Sequence, residues 1–142
     1  MAARACNVLA EKGLQAQVEP RRLRGVGPGA GIFLFAEYVA SPSGEAATAG
    51  FTAYGRKGLP AERVAEMACQ ELLAHHRSGA PVDPHLADQL VLPMALADGE
   101  SQVRTSQVSQ HLLTNVWVVR RFLARDVRVD GELGAPGTLV VV

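Results

Sequence analysis

The sequence has no excess of charge of either sign, because 14 lysine and arginine residues balance 14 aspartate and glutamate residues in 142. A chain without net charge is not a bulk binder of polyanions, so contact with nucleic acid would have to use local basic patches. Long apolar runs and a signal peptide are also missing, and we therefore expect no membrane partner. The 48% content of hydrophobic residues still predicts a folded chain.

Cysteine is scarce as well, since Cys6 and Cys69 are the only two in the sequence. Both lie among apolar residues of predicted helices, and we interpret them as small buried hydrophobes. Two such residues provide neither a disulfide framework nor the ligand spacing of a zinc site. A reducing, cytoplasmic location is the default expectation for a chain of this kind.

Apolar periodicity and turn residues predict helices and strands in the first half of the chain. The helices are expected over residues 2–12 and 61–77, and the strands over residues 14–19, 31–39 and 50–54. Gly13 is expected to end the first helix. Arg21, Arg22 and Arg24 fall in a loop rich in glycine and proline, where they could contact a phosphate or form a solvated loop.

Residues 78–84, which are small or proline at most positions, form the clearest boundary in the chain. Asp83 suits the N-cap of the next helix and Pro84 its first position, while Pro93 must kink or end that helix. We then predict a strand over residues 102–106, a helix after Ser109, and strands over residues 127–129 and 138–142. This mixed order is typical of an α+β fold rather than of alternating βαβ units.

The last predicted helix begins with three polar residues, Ser-Gln-His, in the stretch SQHLLTN at residues 109–115. Ser109 as N-cap would place His111 in the first helical turn, where free backbone amides favour a phosphate. A histidine beside a phosphate can act as a nucleophile, a general acid or base, or a hydrogen-bond donor. It can equally be structural, and the stretch alone leaves these alternatives open.

The sequence contains two unusual strings, HLADQLVLPMALA at residues 85–97 and HLLTN at residues 111–115. Together they resemble the C-terminal part of the RNA 3'-terminal phosphate cyclase family. They occur in the family's order and close to its spacing. By this resemblance, the catalytic domain consists of repeated βαβαββ units, and a small α/β domain is inserted into the last unit. Residues 1–80 would then be most of the insert, and residues 81–142 the C-terminal part of the catalytic domain.

The resemblance implies an ATP-dependent reaction that converts an RNA 3'-terminal phosphate into a 2',3'-cyclic phosphate. In the family, a histidine attacks the α-phosphorus of ATP, AMP passes from it to the RNA 3'-phosphate, and the neighbouring 2'-hydroxyl closes the ring. A divalent metal, Mg²⁺ or Mn²⁺, assists. The family's nucleophile is the histidine of the HLLTN string, which is His111 in this sequence.

The resemblance also implies a set of nucleotide-binding residues. In the family a tyrosine opens the LADQ string and stacks on adenine, whereas this sequence has His85, which is also planar but offers less area. Asp88 and Gln89 match the family's polar contacts to the nucleotide, and their spacing from His85 puts them on one helix face. Whether or not the string binds a nucleotide, we assign four of its apolar residues to the core: Leu90, Leu92, Met94 and Leu96.

The family's N-terminal glutamate, arginines and glycine-rich signature, which serve ATP, metal and RNA, have no counterpart here. By the resemblance, the first strand of the last βαβαββ unit is also absent, which leaves a neighbouring strand with an unpaired edge. The isolated chain is therefore expected to fold poorly or self-associate and to need the N-terminal half. Two rival interpretations remain: a non-catalytic cyclase-like protein that acts in ribosomal RNA processing, and an inactive fragment. The non-catalytic branch lacks the nucleophilic histidine, so His111 favours the enzyme.

Overall fold

The computed structural model describes residues 1–24, 27–39 and 46–142 as four helices and two small antiparallel sheets. The chain forms two compact units, Met1–Ala74 and His75–Val142, each with its own internal contacts. The predicted α+β class is confirmed. That the two units correspond to an insert and a catalytic domain stays a prediction. Within the described residues, no helix has the length and apolarity needed to cross a bilayer.

The first unit packs two helices on a two-stranded ribbon. Its elements are α1 (Ala2–Ala10), β1 (Gly31–Val39), β2 (Ala46–Tyr54) and α2 (Ala61–Ser78), whose last turn belongs to the second unit. β1 and β2 pair antiparallel from Gly31 opposite Tyr54 to Val39 opposite Ala46. The largest apolar cluster of this unit is formed by Ala5, Leu9, Ala49, Phe51, Ala65, Cys69 and Leu72. Cys69 is buried, as expected, but Cys6 is only half-buried.

The second unit places two helices on a three-stranded sheet. Its elements are α3 (Pro84–Leu96), β3 (Ser101–Thr105), α4 (Gln110–Phe122), β4 (Val127–Asp130) and β5 (Gly137–Val141). The strand order is β3-β5-β4, and both pairings are antiparallel. Buried aliphatic residues from α3, α4 and the sheet form one core, which includes Ala87, Val91, Leu112, Val116, Val127, Leu139 and Val141.

Two predictions about local structure were wrong, and a third keeps only one of its alternatives. Residues 14–19 form no strand and are irregular, because no strand within residues 1–24, 27–39 and 46–142 pairs with them to form a hydrogen-bond ladder. Leu92 and Leu96 are 51% and 64% exposed, and α3 instead buries Ala87, Val91 and Ala95. Of the two alternatives for Pro93, an end of α3 is excluded, since this residue lies within the last turn of a helix that reaches Leu96, and a kink stays a prediction.

Burial of a histidine at the end of α2 predicts a loss of stability in acid. His75 is only 3% exposed. Burial lowers its pKa below the ordinary value, against an upward contribution from Asp83 and together with a downward one from His76. The unfolded chain therefore binds a proton at His75 more readily than the folded chain does. The neutral His75 side chain thus contributes stability to the folded chain above the ordinary histidine pKa. This contribution is lost as the pH falls from the ordinary histidine pKa towards the lower pKa of His75 in the folded chain.

We expect the urea midpoint of the parent chain to fall more between pH 7.5 and pH 5.5 than that of His75→Gln. The neighbouring His76 is exposed and makes the smallest contribution to the shift, so His76→Gln is the matched control and should keep most of the acid sensitivity of the parent. Urea midpoints from far-UV circular dichroism at the two pH values provide the measurement. Equal acid sensitivity of His75→Gln and the parent would contradict this prediction.

Candidate active site

His111 lies in the first turn of α4, as the sequence predicts. Ser109 is the N-cap, and its side-chain oxygen accepts a hydrogen bond from the Leu112 amide at 3.0 Å. Gln110 and His111 follow as the first and second helical positions, whose amides have no partner within a helix. The His111 side chain is exposed, and the first turn contains no acidic residue. This end of α4 therefore offers free N–H groups and a positive dipole to an anion.

His85 occupies the same position in α3 that His111 occupies in α4. Asp83 is the N-cap of α3 and Pro84 the first helical position, as predicted, so His85 is second and its side chain is exposed. The Asp83 carboxylate accepts hydrogen bonds from the amides of His85 and Leu86, at 2.8 and 2.9 Å. A carboxylate thus already offsets the positive end of α3, whereas a neutral hydroxyl caps α4. The start of α4 is consequently the better place for a phosphate.

Two contacts show that α3 and α4 run in the same direction. Val82, just before α3, forms an isolated parallel bridge with Thr105, and its carbonyl accepts a hydrogen bond from the Ser106 amide at 2.8 Å. Further along both helices, the Asn115 side-chain amide donates to the Asp88 carbonyl oxygen at 3.1 Å. Because the residue numbers rise together from the first contact to the second, the first turns of both helices lie at the same end of this unit.

The structure thereby brings the predicted site residues to one end of two packed helices. His85, Asp88 and Gln89 lie on α3 at a spacing that gives them a common face, and Asp88 is half-buried while the other two are exposed. His111 lies one turn before Asn115 on α4, on the side that bonds to α3. Planar rings, polar side chains and a helix N-terminus at one end of a unit form an arrangement that suits a nucleotide.

Asn115 is the residue of this site whose role the sequence did not reveal. It is part of the HLLTN string, but its bond to the backbone of α3 depends on how the helices pack. The available signal was its spacing from His111, because residues separated by four lie on the same face of a helix.

Known proteins support this assignment of the fold. The family model described as RNA 3'-terminal phosphate cyclase matches residues 4–129. This chain belongs to the RNA 3'-terminal phosphate cyclase family. The cyclase of Methylococcus capsulatus is 54% identical over 142 residues, which cover 99% of this chain and 37% of the relative. That of Nostoc punctiforme is 51% identical over 130 residues, covering 92% and 36%.

The similarity extends to archaeal relatives at lower identity. The RNA 3'-terminal phosphate cyclase of Thermococcus kodakarensis is 40% identical over 126 residues, which cover 89% of this chain and 34% of the relative. This cyclase-family chain therefore spans little more than a third of the length of the relatives it matches. The roles of His111, His85, Asp88 and Gln89 remain predictions that these similarities do not test.

The described residues of this cyclase-family chain contain no cluster of potential metal ligands. No group of three or more His, Cys, Asp or Glu side chains lies together within residues 1–24, 27–39 and 46–142. Asp88 is the one carboxylate among the predicted nucleotide-binding residues. Mg²⁺ is commonly held by one or two carboxylates together with substrate phosphates, and a single acid does not define such a site.

Proposed function

We propose that this chain carries the nucleotidyl-transfer part of an enzyme that uses ATP to convert an RNA 3'-terminal phosphate into a 2',3'-cyclic phosphate. The observation that carries the proposal is the placement of His111 at the open N-terminus of α4, beside the parallel helix with His85, Asp88 and Gln89. The relatives that this chain matches are RNA 3'-terminal phosphate cyclases, which supports RNA as the substrate. The identity of the nucleotide rests on the family resemblance.

In the first proposed step, a neutral imidazole nitrogen of His111 attacks the α-phosphorus of ATP. A phosphorus–nitrogen bond forms and the bond to pyrophosphate breaks, so pyrophosphate leaves and a histidine–AMP adduct remains. The free amides at the start of α4 stabilise negative charge on the phosphoryl oxygens. Asn115 acts as a positioning residue, because its bond to α3 fixes the distance between His111 and the nucleotide.

In the second step, an oxygen of the RNA 3'-phosphate attacks the phosphorus of the adduct, forming an anhydride with AMP and releasing His111. The 2'-hydroxyl of the same nucleotide then attacks the RNA 3'-phosphorus, loses its proton and displaces AMP, which closes the ring. A covalent intermediate divides one difficult displacement into easier ones. ATP supplies the energy, since each turnover converts one ATP into AMP and pyrophosphate.

The proposal is tested with a chimera in which the N-terminal part of the Methylococcus capsulatus relative precedes this chain. We expect the chimera to convert an RNA with a 3'-phosphate into a product that resists phosphatase, and to require ATP for it. The same RNA with a 3'-hydroxyl end should be unchanged, which provides the control. A soluble chimera that binds ATP but leaves the 3'-phosphate open to phosphatase would support the non-catalytic, cyclase-like alternative.

His85 is expected to stack on the adenine ring. His85→Ala in the chimera should weaken binding of a non-hydrolysable ATP analogue by about 1–3 kcal/mol, the usual range for a side chain that stacks on a base. His85→Tyr should hold or raise the affinity, because the phenol ring is larger. Isothermal titration calorimetry measures both, with the exposed His76→Ala as control. If His85→Ala binds the analogue as tightly as the parent, adenine does not stack on His85.

A further inference from the structure

A cleft on the flank of α4 that faces away from α3 lies outside the proposed nucleotide site. Asn115 reaches α3, and Trp117 lies about 200° further around the helix at 3.6 residues per turn. The cleft lies between α4 and β4 and has a volume of about 630 Å³. Its apolar floor consists of Leu113, Val116 and Val129, while Trp117, Arg120 and Arg121 form its α4 wall.

The wall carries uncompensated positive charge. Arg120 and Arg121 lie in the last turn of α4, and neither forms an ion pair within the described part of the chain. Arg128 of β4 also lines the cleft, but two carboxylates offset its charge. Its Nη1 atom lies 3.2 Å from Oδ2 of Asp126, and its Nε atom lies 3.8 Å from Oδ1 of Asp130. Among the described residues that line the cleft, none is acidic. The free cations of this surface are therefore Arg120 and Arg121.

An exposed aromatic ring lies beside these cations. Trp117, Arg120 and Arg121 are separated by three and four residues, so they share one face of α4. The guanidinium carbon of Arg121 lies 4.8 Å from the centroid of the Trp117 ring, a cation–π contact that holds the ring in place. Trp117 is nevertheless 60% exposed, which leaves much of its surface available to a ligand. Proteins that bind single-stranded nucleic acids combine aromatic side chains, on which bases stack, with positively charged side chains that contact the backbone.

We propose that this cleft binds a single-stranded segment of RNA, with a base stacked on Trp117 and backbone phosphates contacting Arg120 and Arg121. The proposal rests on the proposed function only for the choice of RNA as the polyanion. It adds a surface that holds the strand away from its reacting 3' end. A protein partner with an apolar docking face would instead bury two guanidinium groups without anionic partners, which is costly.

The single tryptophan of the chain allows a direct test, because Trp117 is the only source of tryptophan fluorescence. The 142-residue chain is titrated with a short oligouridylate that ends in a 3'-hydroxyl and so cannot be cyclised. We expect saturable quenching of Trp117 whose affinity falls as salt rises. Because this RNA lacks the reacting phosphate, its binding is independent of the proposed reaction. If the oligouridylate binds but the chimera does not cyclise an RNA 3'-phosphate, the proposed function is contradicted. The proposed binding of RNA to the cleft is then unaffected.

Charge variants separate a specific cleft from general attraction. The double variant R120A/R121A should bind the RNA at least about fivefold more weakly, and its salt slope should decrease by about 1.4 for two lost phosphate contacts. The matched control, R56A/K57A, removes the same charge from an exposed turn of the first unit and should bind like the parent. Equal loss in both double variants would overturn the proposal, because net charge alone would then explain the binding.

Aromatic variants test the stacking contact, with the anisotropy of a labelled RNA as the readout. Trp117→Leu should weaken binding at least about fivefold, the lower end of the range for a stacking residue. Trp117→Phe retains an aromatic face and should stay close to the parent. Far-UV circular dichroism establishes that each variant is folded. Equal affinities of Trp117→Leu and the parent would overturn the proposal.

Two further outcomes would also overturn it. The first is unchanged Trp117 fluorescence at RNA concentrations that saturate other single-strand binding proteins. The second is a blue shift of Trp117 emission as the protein concentration rises without RNA, because a second copy of the chain would then occupy the cleft.

Discussion

Replacing His111 with alanine is expected to abolish formation of the AMP adduct. The adduct is a covalent bond between imidazole and phosphorus, so without this imidazole there is no atom at the start of α4 to form it. The effect should be complete rather than partial, unlike the loss of a binding residue. The chimera is incubated with ATP and a divalent metal, and intact-mass spectrometry measures the gain of one AMP. Peptide mapping then locates the AMP.

The matched control is His76→Ala, which removes another exposed histidine. This variant should form the adduct at the rate of the parent. An adduct that persists in His111→Ala, or that maps to His85 in the parent chimera, would show that His111 is not the nucleophile. His111 would then be a hydrogen-bond donor to phosphate, one of the alternatives that its position in the first turn left open.

The second large effect is expected when the 142-residue chain is compared with the chimera. Phosphoryl transfer depends mostly on positioning and on neutralising the charge of the phosphates. The site on α3 and α4 has the proposed nucleophile His111, a helix N-terminus and polar side chains, but within the described residues no cluster of three or more potential metal ligands. The family resemblance places the arginines and the glutamate that serve ATP in the N-terminal part, beyond the 37% of the Methylococcus capsulatus relative that this chain covers.

We therefore expect no histidine–AMP adduct on the isolated chain at a useful rate, and restored formation in the chimera. The isolated chain and the chimera are compared at equal concentration by intact-mass spectrometry after incubation with ATP and a divalent metal. The His111→Ala chimera shows that the restored adduct belongs to this chain. A stoichiometric adduct on the isolated chain as a monomer would refute the expectation, because the nucleotide site would then be complete within 142 residues.

The starts of α3 and α4 could be predicted from the sequence because their determinants are local. Asp83 and Ser109 bond to amides within three residues of themselves, so the capping signal and its structural effect lie in the same short stretch. The position of His111 in the first turn followed from this signal alone. The same reasoning predicted β1 over residues 31–39, where β-branched and aromatic residues favour a strand.

The errors concern features that depend on distant partners. Residues 14–19 alternate like a strand, but an alternating pattern cannot supply the neighbouring strand that a ladder needs. The string that forms α3 is apolar on more than one face, so packing against α4 and the sheet decides that Val91 is buried and Leu92 exposed. For the same reason the position of Trp117, Arg120 and Arg121 beside β4 could not be predicted from the sequence.

The position of β5 has a consequence for how this unit is made. β5 is the centre of its sheet and pairs with both β3 and β4, although it follows both in the chain. A ribosome releases the chain from its N-terminal end, so β3 and β4 emerge before β5, the strand with which both of them pair. Leu139 and Val141 belong to the core shared with Leu112 and Val116. The helix that carries His111 can therefore pack against Leu139 and Val141 only when β5 has left the ribosome.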